Sequence, residues 1–276
     1  KQDYNREFKF EEAKDLVFKA LKPLGHEVYG IDLNEETLKQ AKEEGYILEG
    51  FKDGKEILAK TDLTIISLYP SLIENFIKEN TFKPGSIITD AVGVKGHFIE
   101  KVVTYLPDNV EFLSGHPMAG REKKGYSYAS EKVFQGANYL ITPHQSNSKE
   151  AIEILSRLVK GMGFKNIKVI TPQEHDQIIA FTSQLPHALA VALINSDDQK
   201  FDTGKFIGDS YRDLTRIANI NEDLWCELFM NNKENLLEKI TLFEQELTKI
   251  KHAIEKNDEK VLKELFIQSS VRREML

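Results

Sequence analysis

The segment TPQE, residues Thr171 to Glu174, separates two parts of the sequence that have different patterns. Threonine followed three residues later by glutamate is typical of a capping box, the arrangement that satisfies free N–H groups at the start of a helix. Pro172 occupies the first helical position, where no N–H group is needed. Before this segment, short apolar runs alternate with amphipathic stretches, whereas only helical patterns follow it. The segment is therefore predicted to begin an all-helical domain.

Residues 1–170 are predicted to form a doubly wound, mostly parallel, Rossmann-like sheet domain of the α/β class. The strand candidates are Glu27–Ile31, Leu63–Ser67, Ser86–Thr89, Val110–Leu113, Asn138–Thr142 and Asn166–Ile170. The helix candidates between them are Glu35–Glu44, Leu72–Glu79, Phe98–Leu106 and Lys149–Lys160. Strands and helices that alternate in this way form parallel sheets covered by helices on both faces.

Residues 171–276 are predicted to be all helical. Pro186 lies within the helix that the capping box begins, and it should interrupt that helix because proline lacks the N–H of an interior helical bond. Further along, apolar residues recur at spacings of four and three, as Leu236, Ile240, Phe243, Leu247, Ile250 and Ile254. This stripe fits either the core face of an ordinary helix or the seam of a dimer.

The composition limits the possible classes of function. The chain has 276 residues, of which 41% are hydrophobic and 29% charged, with a net charge of -7. We therefore expect a soluble globular protein that does not bind nucleic acid. No apolar run approaches the roughly 18 residues of a membrane span, so no membrane association is expected. The single cysteine, Cys226, and the absence of metal-ligand spacing among the histidines predict a reducing, cytoplasmic location and no bound metal.

Polar side chains follow several predicted strands, at the edge where open parallel sheets bind their ligands. Asp32 ends the first strand candidate, and a carboxylate at that position of a dinucleotide-binding fold accepts hydrogen bonds from the adenosine ribose. Such a carboxylate disfavours a 2′-phosphate, so NAD is predicted rather than NADP. The candidate cofactor-binding residues at the strand ends are Asp32, Leu68, Tyr69, Pro70, Asp90 and Gly93.

A histidine follows the fourth strand candidate, in the segment SGHPMAG, Ser114 to Gly120. Pro117 fixes its own φ and restricts His116 to an extended conformation. The imidazole is therefore expected to be held rigidly at a strand end, where histidine is a candidate acid/base group. An incidental histidine in a surface loop is the alternative that this segment alone leaves open.

Two segments of the helical part carry titratable or charged groups. His187 directly follows the helix proline, where a histidine is more often a core residue than a catalytic one. Arg212 and Arg216 are predicted to lie one turn apart on the same helix face, with Asp213 between them. Such a pair suits a substrate with more than one carboxylate, because arginine binds a carboxylate through two parallel hydrogen bonds. Surface ion pairs with Asp213 or Glu222 are the alternative.

Three motifs in order resemble the prephenate/arogenate dehydrogenase family of tyrosine biosynthesis: GHPMAG followed by Glu122, LPHALA, and RDLTRIA followed by Trp225. The resemblance covers the chain from about Val17 to the C-terminal helices. It implies that prephenate is oxidatively decarboxylated to 4-hydroxyphenylpyruvate while a hydride passes to NAD. It also implies a dinucleotide-binding domain at residues 1–170 and a helical substrate and dimerisation domain at residues 171–276, with a homodimer formed through the latter.

The same resemblance implies roles for individual residues. His116 matches the catalytic histidine, which takes up the proton of the ring hydroxyl, and His187 matches a second active-site histidine. Arg216 matches the arginine that binds a substrate carboxylate. The other positions that match the substrate pocket are Arg212, Glu122, Asp213 and Trp225.

The sequence departs from the family pattern in three places. The first strand and the glycine fingerprint are missing, because the glycine positions fall on Lys9, Glu11, Lys14 and Asp15. Carboxylates there would oppose the approach of a pyrophosphate to a helix N-terminus. Gly93 replaces a serine whose hydroxyl supports the catalytic histidine in the family. Gln184 stands where a histidine is common.

Three hypotheses about function follow. The first is an NAD-dependent prephenate dehydrogenase, with arogenate as the alternative substrate. The second is a non-catalytic relative that binds an aromatic precursor through His116 and Arg216. The third is a helical scaffold that dimerises through the Leu236–Ile254 stripe. Two explanations of the missing fingerprint stay open. Either the cofactor site is degenerate, or the native N-terminus differs from the one that begins with Lys1 and supplies the fingerprint.

Overall fold

The computed structural model describes residues 17–119 and 133–276, which divide into two compact units. The first unit holds the described residues up to Ile179 together with Asn219–Asn231. The second unit consists of Ala180–Ala218 and Asn232–Leu276. Residues 172–179 and 219–231 thus belong to the first unit, and the domain boundary after residue 170 that was drawn from the sequence stays a prediction.

The described part of the first unit contains eight strands in three hydrogen-bonded sheets. The strands are β1 (Tyr29–Ile31), β2 (Glu49–Phe51), β3 (Leu63–Ile66), β4 (Ile87–Asp90), β5 (Glu111–Phe112), β6 (Ser114–Met118), β7 (Asn138–Thr142) and β8 (Asn166–Val169). The pairs β1–β2, β3–β4, β4–β5 and β7–β8 are parallel, and β6–β7 is antiparallel. The predicted mostly parallel α/β fold is confirmed.

Residues 17–21 are helical, and ten complete α-helices follow within residues 22–119 and 133–276. They are α1 (Glu35–Glu43), α2 (Pro70–Glu79), α3 (Gly96–Val103), α4 (Lys149–Gly161), α5 (Pro172–Ile179), α6 (Leu185–Asn195), α7 (Asp209–Thr215), α8 (Glu222–Asn231), α9 (Lys233–Glu255) and α10 (Glu259–Glu274). The first five and α8 belong to the first unit, and the other four to the second.

Side-chain caps that the sequence encodes fix the starts of several helices. At α1, Asn34 Oδ1 accepts hydrogen bonds from the N–H groups of Glu36 and Thr37 at 3.1 and 3.2 Å. At α5, the predicted capping box is present. The Glu174 N–H donates to Thr171 Oγ1 at 3.2 Å, and the Thr171 N–H donates to Glu174 Oε2 at 2.9 Å. Two N–H groups at the start of α5 are thus satisfied reciprocally.

Two hydrophobic clusters form the core of the first unit. One contains Ile141 of β7 and Leu155 of α4, and the other contains Ile73 of α2, Ile88 of β4 and Ile99 of α3. All four residues of β4 are buried, as expected of a strand covered on both faces. The carboxyl end of β4 is therefore held rigidly, and this end carries the polar groups of the candidate site.

His116 lies inside strand β6, opposite Leu140 of β7, and not after a strand end as the sequence predicted. Strand β6 is the edge strand of its sheet, and its pairing with β7 includes Pro117. An edge position tolerates proline because the missing N–H does not leave a central ladder incomplete. The prediction of a rigid, extended backbone at His116 agrees with this strand.

The second unit begins with a π-helical turn, Ala180–Gln184, which leads into α6. Pro186 occupies the first turn of α6, so the helical hydrogen-bond pattern changes just before the proline, as predicted. Gln184 is buried and accepts a hydrogen bond from Asn232 Nδ2 at 2.8 Å. The glutamine at this position is therefore part of the packing of this unit.

The helical stretch Pro172–Asn195 has 24 residues, and its most apolar window of 18 residues has a mean hydropathy of 1.4. By length and composition alone it could cross a membrane, which differs from the expectation drawn from the sequence. Core helices of soluble proteins meet the same criterion, and 28% of this window is buried. The expectation that the protein does not associate with membranes stays a prediction.

Candidate active site

The carboxyl end of β4 carries a buried ion pair. Lys95 Nζ donates to Asp90 Oδ2 at 2.6 Å and to the carbonyl oxygen of Gly115 at 2.7 Å. Asp90 also accepts hydrogen bonds from Ser114 Oγ at 2.6 Å and from the Val92 N–H at 2.8 Å. Burial lowers the pKa of Lys95, and the Asp90 carboxylate opposes that shift. The ion pair joins β4 to β6, the strand that carries the candidate catalytic histidine.

The Asp90 carboxylate was a candidate for cofactor binding, but its geometry favours a structural task. The side chains of Asp90 and Lys95 are both fully buried. The Asp90 oxygens accept their hydrogen bonds from groups of the protein itself. A buried carboxylate whose hydrogen-bonding capacity is used internally cannot also bind a ligand without breaking these contacts. Asp90 therefore has a structural role, since it holds Lys95 and Ser114 of β6 in place.

Asp176, on α5, caps helix α3 from a distant part of the chain. Its Oδ1 accepts a hydrogen bond from the Lys95 N–H at 2.8 Å, and its Oδ2 accepts one from the Gly96 N–H at 2.7 Å. A negative charge at a helix N-terminus is stabilised by the free N–H groups and by the helix dipole. A β-carbon at Gly96 would lie 3.0 Å from Asp176 Oδ2, so glycine permits this close approach.

The rings of His116 and His175 lie side by side, with centroids 5.1 Å apart. His116 Nδ1 is 2.9 Å from His175 Nε2, and His175 Nδ1 is 2.8 Å from Asp176 Oδ1. Burial lowers the pKa of His116 well below 6.5, and the neighbouring His175 and Lys95 add to the effect. Burial also lowers the pKa of His175, although Asp176 opposes this. Both rings are therefore neutral at pH 7, and a neutral histidine can accept a proton.

The residue at position 93 is close to the His116 ring. A β-carbon at Gly93 would lie 3.9 Å from His116 Cε1 and 3.3 Å from Leu228 Cδ2. A serine hydroxyl at this position would therefore lie beside the imidazole, as the family pattern implies. Without that hydroxyl, hydrogen bonding to His116 within the described residues comes from His175.

Asp32 lies at the strand end where the sequence predicts a contact with an adenosine ribose, and that contact stays a prediction. It follows β1 at the carboxyl end of a parallel pair, and its Oδ1 accepts a hydrogen bond from the Asn34 N–H at 2.7 Å. The half-buried carboxylate is an acceptor, which is what the ribose hydroxyl donors require. The fingerprint positions Lys9, Glu11, Lys14 and Asp15 lie outside the described residues.

The second predicted cofactor segment, Leu68 to Pro70, connects β3 with α2. The Tyr69 hydroxyl is a hydrogen-bond acceptor for Asn221 Nδ2 at 3.0 Å, and Pro70 begins α2. Burial raises the pKa of Tyr69, and the hydrogen bond from Asn221 opposes this. The segment thus lies at a strand end, where open sheets bind their ligands.

The predicted substrate residue Trp225 lies on α8 in the first unit. Its ring contacts that of Phe229 edge-on, with centroids 5.7 Å apart. The neighbouring Cys226 is exposed. Glu122, another predicted pocket residue, lies outside the described residues.

Four other predicted site residues belong to the second unit. His187 Nδ1 is 2.9 Å from the Ser183 carbonyl oxygen, and burial lowers the pKa of His187 despite this bond. Arg212 pairs with Asp209 at 3.3 Å and not with Asp213 or Glu222. Arg216 is exposed and follows the end of α7, at the start of a 3₁₀ turn. The meeting of these groups with His116 in one pocket stays a prediction.

No cluster of three or more histidine, cysteine, aspartate or glutamate side chains within residues 17–119 and 133–276 is arranged to hold a metal ion.

Comparisons with known proteins place these features in a family. A family model described as "Prephenate dehydrogenase, nucleotide-binding domain" matches residues 17–168. A second, described as "Prephenate dehydrogenase, dimerization domain", matches residues 171–268. The chain belongs to the prephenate dehydrogenase family. The family prediction made from the three sequence motifs is thereby confirmed.

Individual members of the prephenate dehydrogenase family are similar over most of the chain. A prephenate dehydrogenase of Bacillus subtilis is 28% identical over 85% of this chain, which spans 65% of that relative's length. The crystal structure of prephenate dehydrogenase from Aquifex aeolicus, in complex with hydroxyphenyl propionate and NAD⁺, superimposes with a TM-score of 0.85 and 27% identity, covering 95% of this chain and 93% of that one. Synechocystis arogenate dehydrogenase gives a TM-score of 0.79 and 25% identity, with 95% of each chain covered.

His175 and Asp176 are the site residues that the sequence analysis missed. The available signal was a histidine–aspartate pair just after the capping box, on a face of α5 that also buries Ile179. Nothing in the local pattern shows that these side chains reach residues 59 and 81 positions away in the sequence. The individual site assignments remain predictions within the prephenate dehydrogenase family.

Proposed function

We propose that this protein catalyses the NAD-dependent oxidative decarboxylation of prephenate to 4-hydroxyphenylpyruvate. The observation that carries the proposal is a neutral, half-buried His116 in a rigid strand, hydrogen-bonded to His175 at 2.9 Å. A base in this state can take the proton of the substrate's ring hydroxyl as the carbon that bears it is oxidised. Membership of the prephenate dehydrogenase family supports the choice of reaction.

The residues proposed to hold the cofactor lie at the carboxyl ends of β1, β3 and β4. Asp32 accepts hydrogen bonds from the adenosine ribose, the Leu68–Pro70 segment lies along the cofactor, and Gly93 leaves space beside His116. Bound NAD supplies the hydride acceptor of the reaction. The carboxylate of Asp32 selects NAD because it would repel the 2′-phosphate of NADP.

The substrate contacts are proposed from the positions that match the family motifs. Arg216 binds one carboxylate of the prephenate dianion, and Arg212 and Asp213 line the same pocket. His187 is the second active-site histidine, and Trp225 and Glu122 contribute to the pocket wall. Loss of the carboxylate on the oxidised ring then leaves an aromatic product, which makes the overall reaction strongly favourable.

The helical dimerisation domain of the family is present in this chain. We propose that it forms a homodimer and that the protein acts in the cytoplasm, with no nucleic-acid or membrane partner. Arogenate is the second candidate substrate, because Synechocystis arogenate dehydrogenase is similar over 95% of this chain. The two substrates differ only in the side chain, which carries a keto group in prephenate and an amino group in arogenate.

The variant His116→Asn tests the proposed function. Removal of a general base typically lowers turnover by about 10²–10⁴-fold. We expect a loss of this size in NADH formation from prephenate, with an unchanged melting temperature and unchanged NAD affinity in titration calorimetry. His252→Asn, an exposed position on α9, is the matched control and should keep full activity. A loss of less than tenfold in folded His116→Asn would remove His116 from the catalytic role.

A further inference from the structure

A continuous chain of hydrogen bonds connects Asp176, His175 and His116. The distances are 2.8 Å from Asp176 Oδ1 to His175 Nδ1 and 2.9 Å from His175 Nε2 to His116 Nδ1. Asp176 also accepts hydrogen bonds from the N–H groups of Lys95 and Gly96 at 2.8 and 2.7 Å. These two N–H groups lie at the N-terminus of α3, where a carboxylate is a favourable hydrogen-bond acceptor.

The ionised carboxylate of Asp176 determines which ring nitrogens of His175 and His116 carry a hydrogen. An ionised carboxylate only accepts hydrogen bonds, so His175 Nδ1 must carry the hydrogen that it donates to Asp176. A neutral imidazole has one donor and one acceptor nitrogen, so His175 Nε2 is an acceptor. His116 Nδ1 must then be the donor to it. In neutral His116, this leaves the lone pair on Nε2.

We infer that His175 is a positioning residue that, together with Asp176, holds His116 in the tautomer whose Nε2 carries the lone pair. His175 is fully buried on α5, and it is the one described side chain that hydrogen-bonds His116. Gly93, whose added β-carbon would lie 3.9 Å from His116 Cε1, offers this ring no hydrogen-bonding side chain. The support of His116 therefore depends on the histidine neighbour.

This inference has one part that depends on the proposed function and one that does not. The tautomer of His116 is a property of the folded protein and exists whether or not prephenate is the substrate. The kinetic consequence rests on the proposed function, because it requires His116 to act as the base. Two measurements therefore separate the two claims.

The first measurement is ¹⁵N NMR of the histidine side chains at a pH where they are neutral. The His116 signals are assigned by their loss in His116→Asn. We expect wild-type His116 to be protonated at Nδ1 and unprotonated at Nε2. We expect His175→Phe, which keeps a ring of similar size without polar atoms, to show a mixture of both tautomers. Wild-type His116 protonated at Nε2 would overturn the inference.

The second measurement separates kcat from KM in the same variants. We expect His175→Phe to lower kcat by about tenfold or more, but by less than the roughly 10²–10⁴-fold loss for removal of the base itself. KM for prephenate should stay within about twofold of the wild-type value, because the substrate-binding groups are unchanged. His175→Gln should recover part of kcat, since its amide oxygen can accept the bond from His116 Nδ1.

A control separates positioning from general stability. Ile179→Val changes a buried residue on the same helix and should lower the melting temperature without affecting the tautomer or kcat. An unchanged tautomer and unchanged kcat in folded His175→Phe would overturn the inference. If His175→Phe does not fold, the inference is tested by the tautomer of His116 in the wild type and by the kcat of His175→Gln. Inactivity of the wild type towards prephenate, with the expected tautomer, would contradict only the proposed function.

Discussion

Residue 93, which lies beside the candidate base His116, is a glycine and so has no side chain. We expect Gly93→Ser to place a hydroxyl within reach of the His116 ring, because a β-carbon at this position would lie 3.9 Å from His116 Cε1. A net hydrogen bond of about 0.5–1.5 kcal/mol would raise kcat by roughly two- to tenfold. Steady-state kinetics with prephenate measures this change.

The control for this substitution is Gly93→Ala, which adds the β-carbon without the hydroxyl. Both variants should lose a little thermal stability, because the new carbon would lie 3.3 Å from Leu228 Cδ2 and the leucine must move slightly. An equal effect of alanine and serine on kcat would show that the hydroxyl plays no part.

Arg216 is the residue expected to determine the affinity for the substrate carboxylate. Hydrogen bonds to a charged group contribute about 1.5–3 kcal/mol, so Arg216→Ala should raise KM by roughly 10- to 150-fold. Arg216→Lys should recover only part of the affinity, because lysine lacks the planar fork of donors. Initial rates over a range of prephenate concentrations provide the measurement.

The matched control for Arg216 is Arg272→Ala, which removes an exposed arginine from the last turn of α10. It should leave KM unchanged. Full affinity in Arg216→Lys would show that Arg216 does not act as a bidentate carboxylate ligand.

Single residues of the site were predictable only where chemistry and local pattern coincide. His116 stood out because Pro117 follows it, and Asp90 because it ends an apolar strand. His175 and Asp176 did not stand out, because their partners lie 59 and 81 residues away. Contacts over such separations depend on the packing of α5 against the rest of the first unit, which no local pattern encodes.

At the scale of elements, Glu74 joins two neighbouring helices. Its carboxylate on α2 binds Lys101 of α3 at 2.7 Å and Lys78 of α2 at 2.6 Å. The hydrogen bonds from Lys101 and Lys78 lower the pKa of Glu74 from 4.5 to about 2. A lowered pKa in the folded state means that the stabilisation is complete above pH 4.5 and is lost as the pH falls towards 2.

The variant Glu74→Gln tests this contribution. Its melting temperature should lie slightly below that of the wild type at pH 7, and the difference should shrink as the pH falls below 4.5. The effect should be small and should decrease with salt, because exposed ion pairs are screened. Glu79→Gln, at the end of the same helix, is the control. A difference that stays constant from pH 7 to 3 would contradict the assignment.

The sequence predicted most elements of the first unit but missed two strands. Residues 138–142 were predicted as a strand with the observed bounds, because this apolar run is flanked by turn residues. Strand β2 has only three residues, too few for a periodic pattern. Strand β6 contains Gly115 and Pro117, both disfavoured in strands. Gly115 is needed because a β-carbon there would collide with the Tyr139 hydroxyl.

At the scale of the whole molecule, the apolar stripe of α9 is only partly covered within one chain. Leu236 is buried, whereas Leu247 and Ile254 are 53% and 60% exposed. The sequence could not decide between a core face and a dimer seam, because both produce the same spacing. The match of residues 171–268 to a dimerisation domain favours the seam for the exposed half.

We expect the double variant Leu247→Asp/Ile254→Asp to weaken the proposed homodimer. Burial of one leucine or isoleucine side chain contributes about 1.5–3 kcal/mol, so the dissociation constant should rise by roughly tenfold or more. Sedimentation equilibrium measures the change. Gln245→Asp, an exposed polar position of the same helix, is the control. An unaltered dimer in the double variant would place the interface elsewhere.

Fluorescence from Trp225, and from a dye attached to its neighbour Cys226, can report ligand binding without any change to the sequence. They are the single tryptophan and the single cysteine of the chain, and they are adjacent on α8. Fluorescence excited at the red edge of the spectrum therefore comes from one known position. The exposed thiol accepts one dye or quencher beside that indole, without prior removal of other cysteines. Binding of a ligand near α8 can thus be followed by emission intensity and energy transfer in the native sequence.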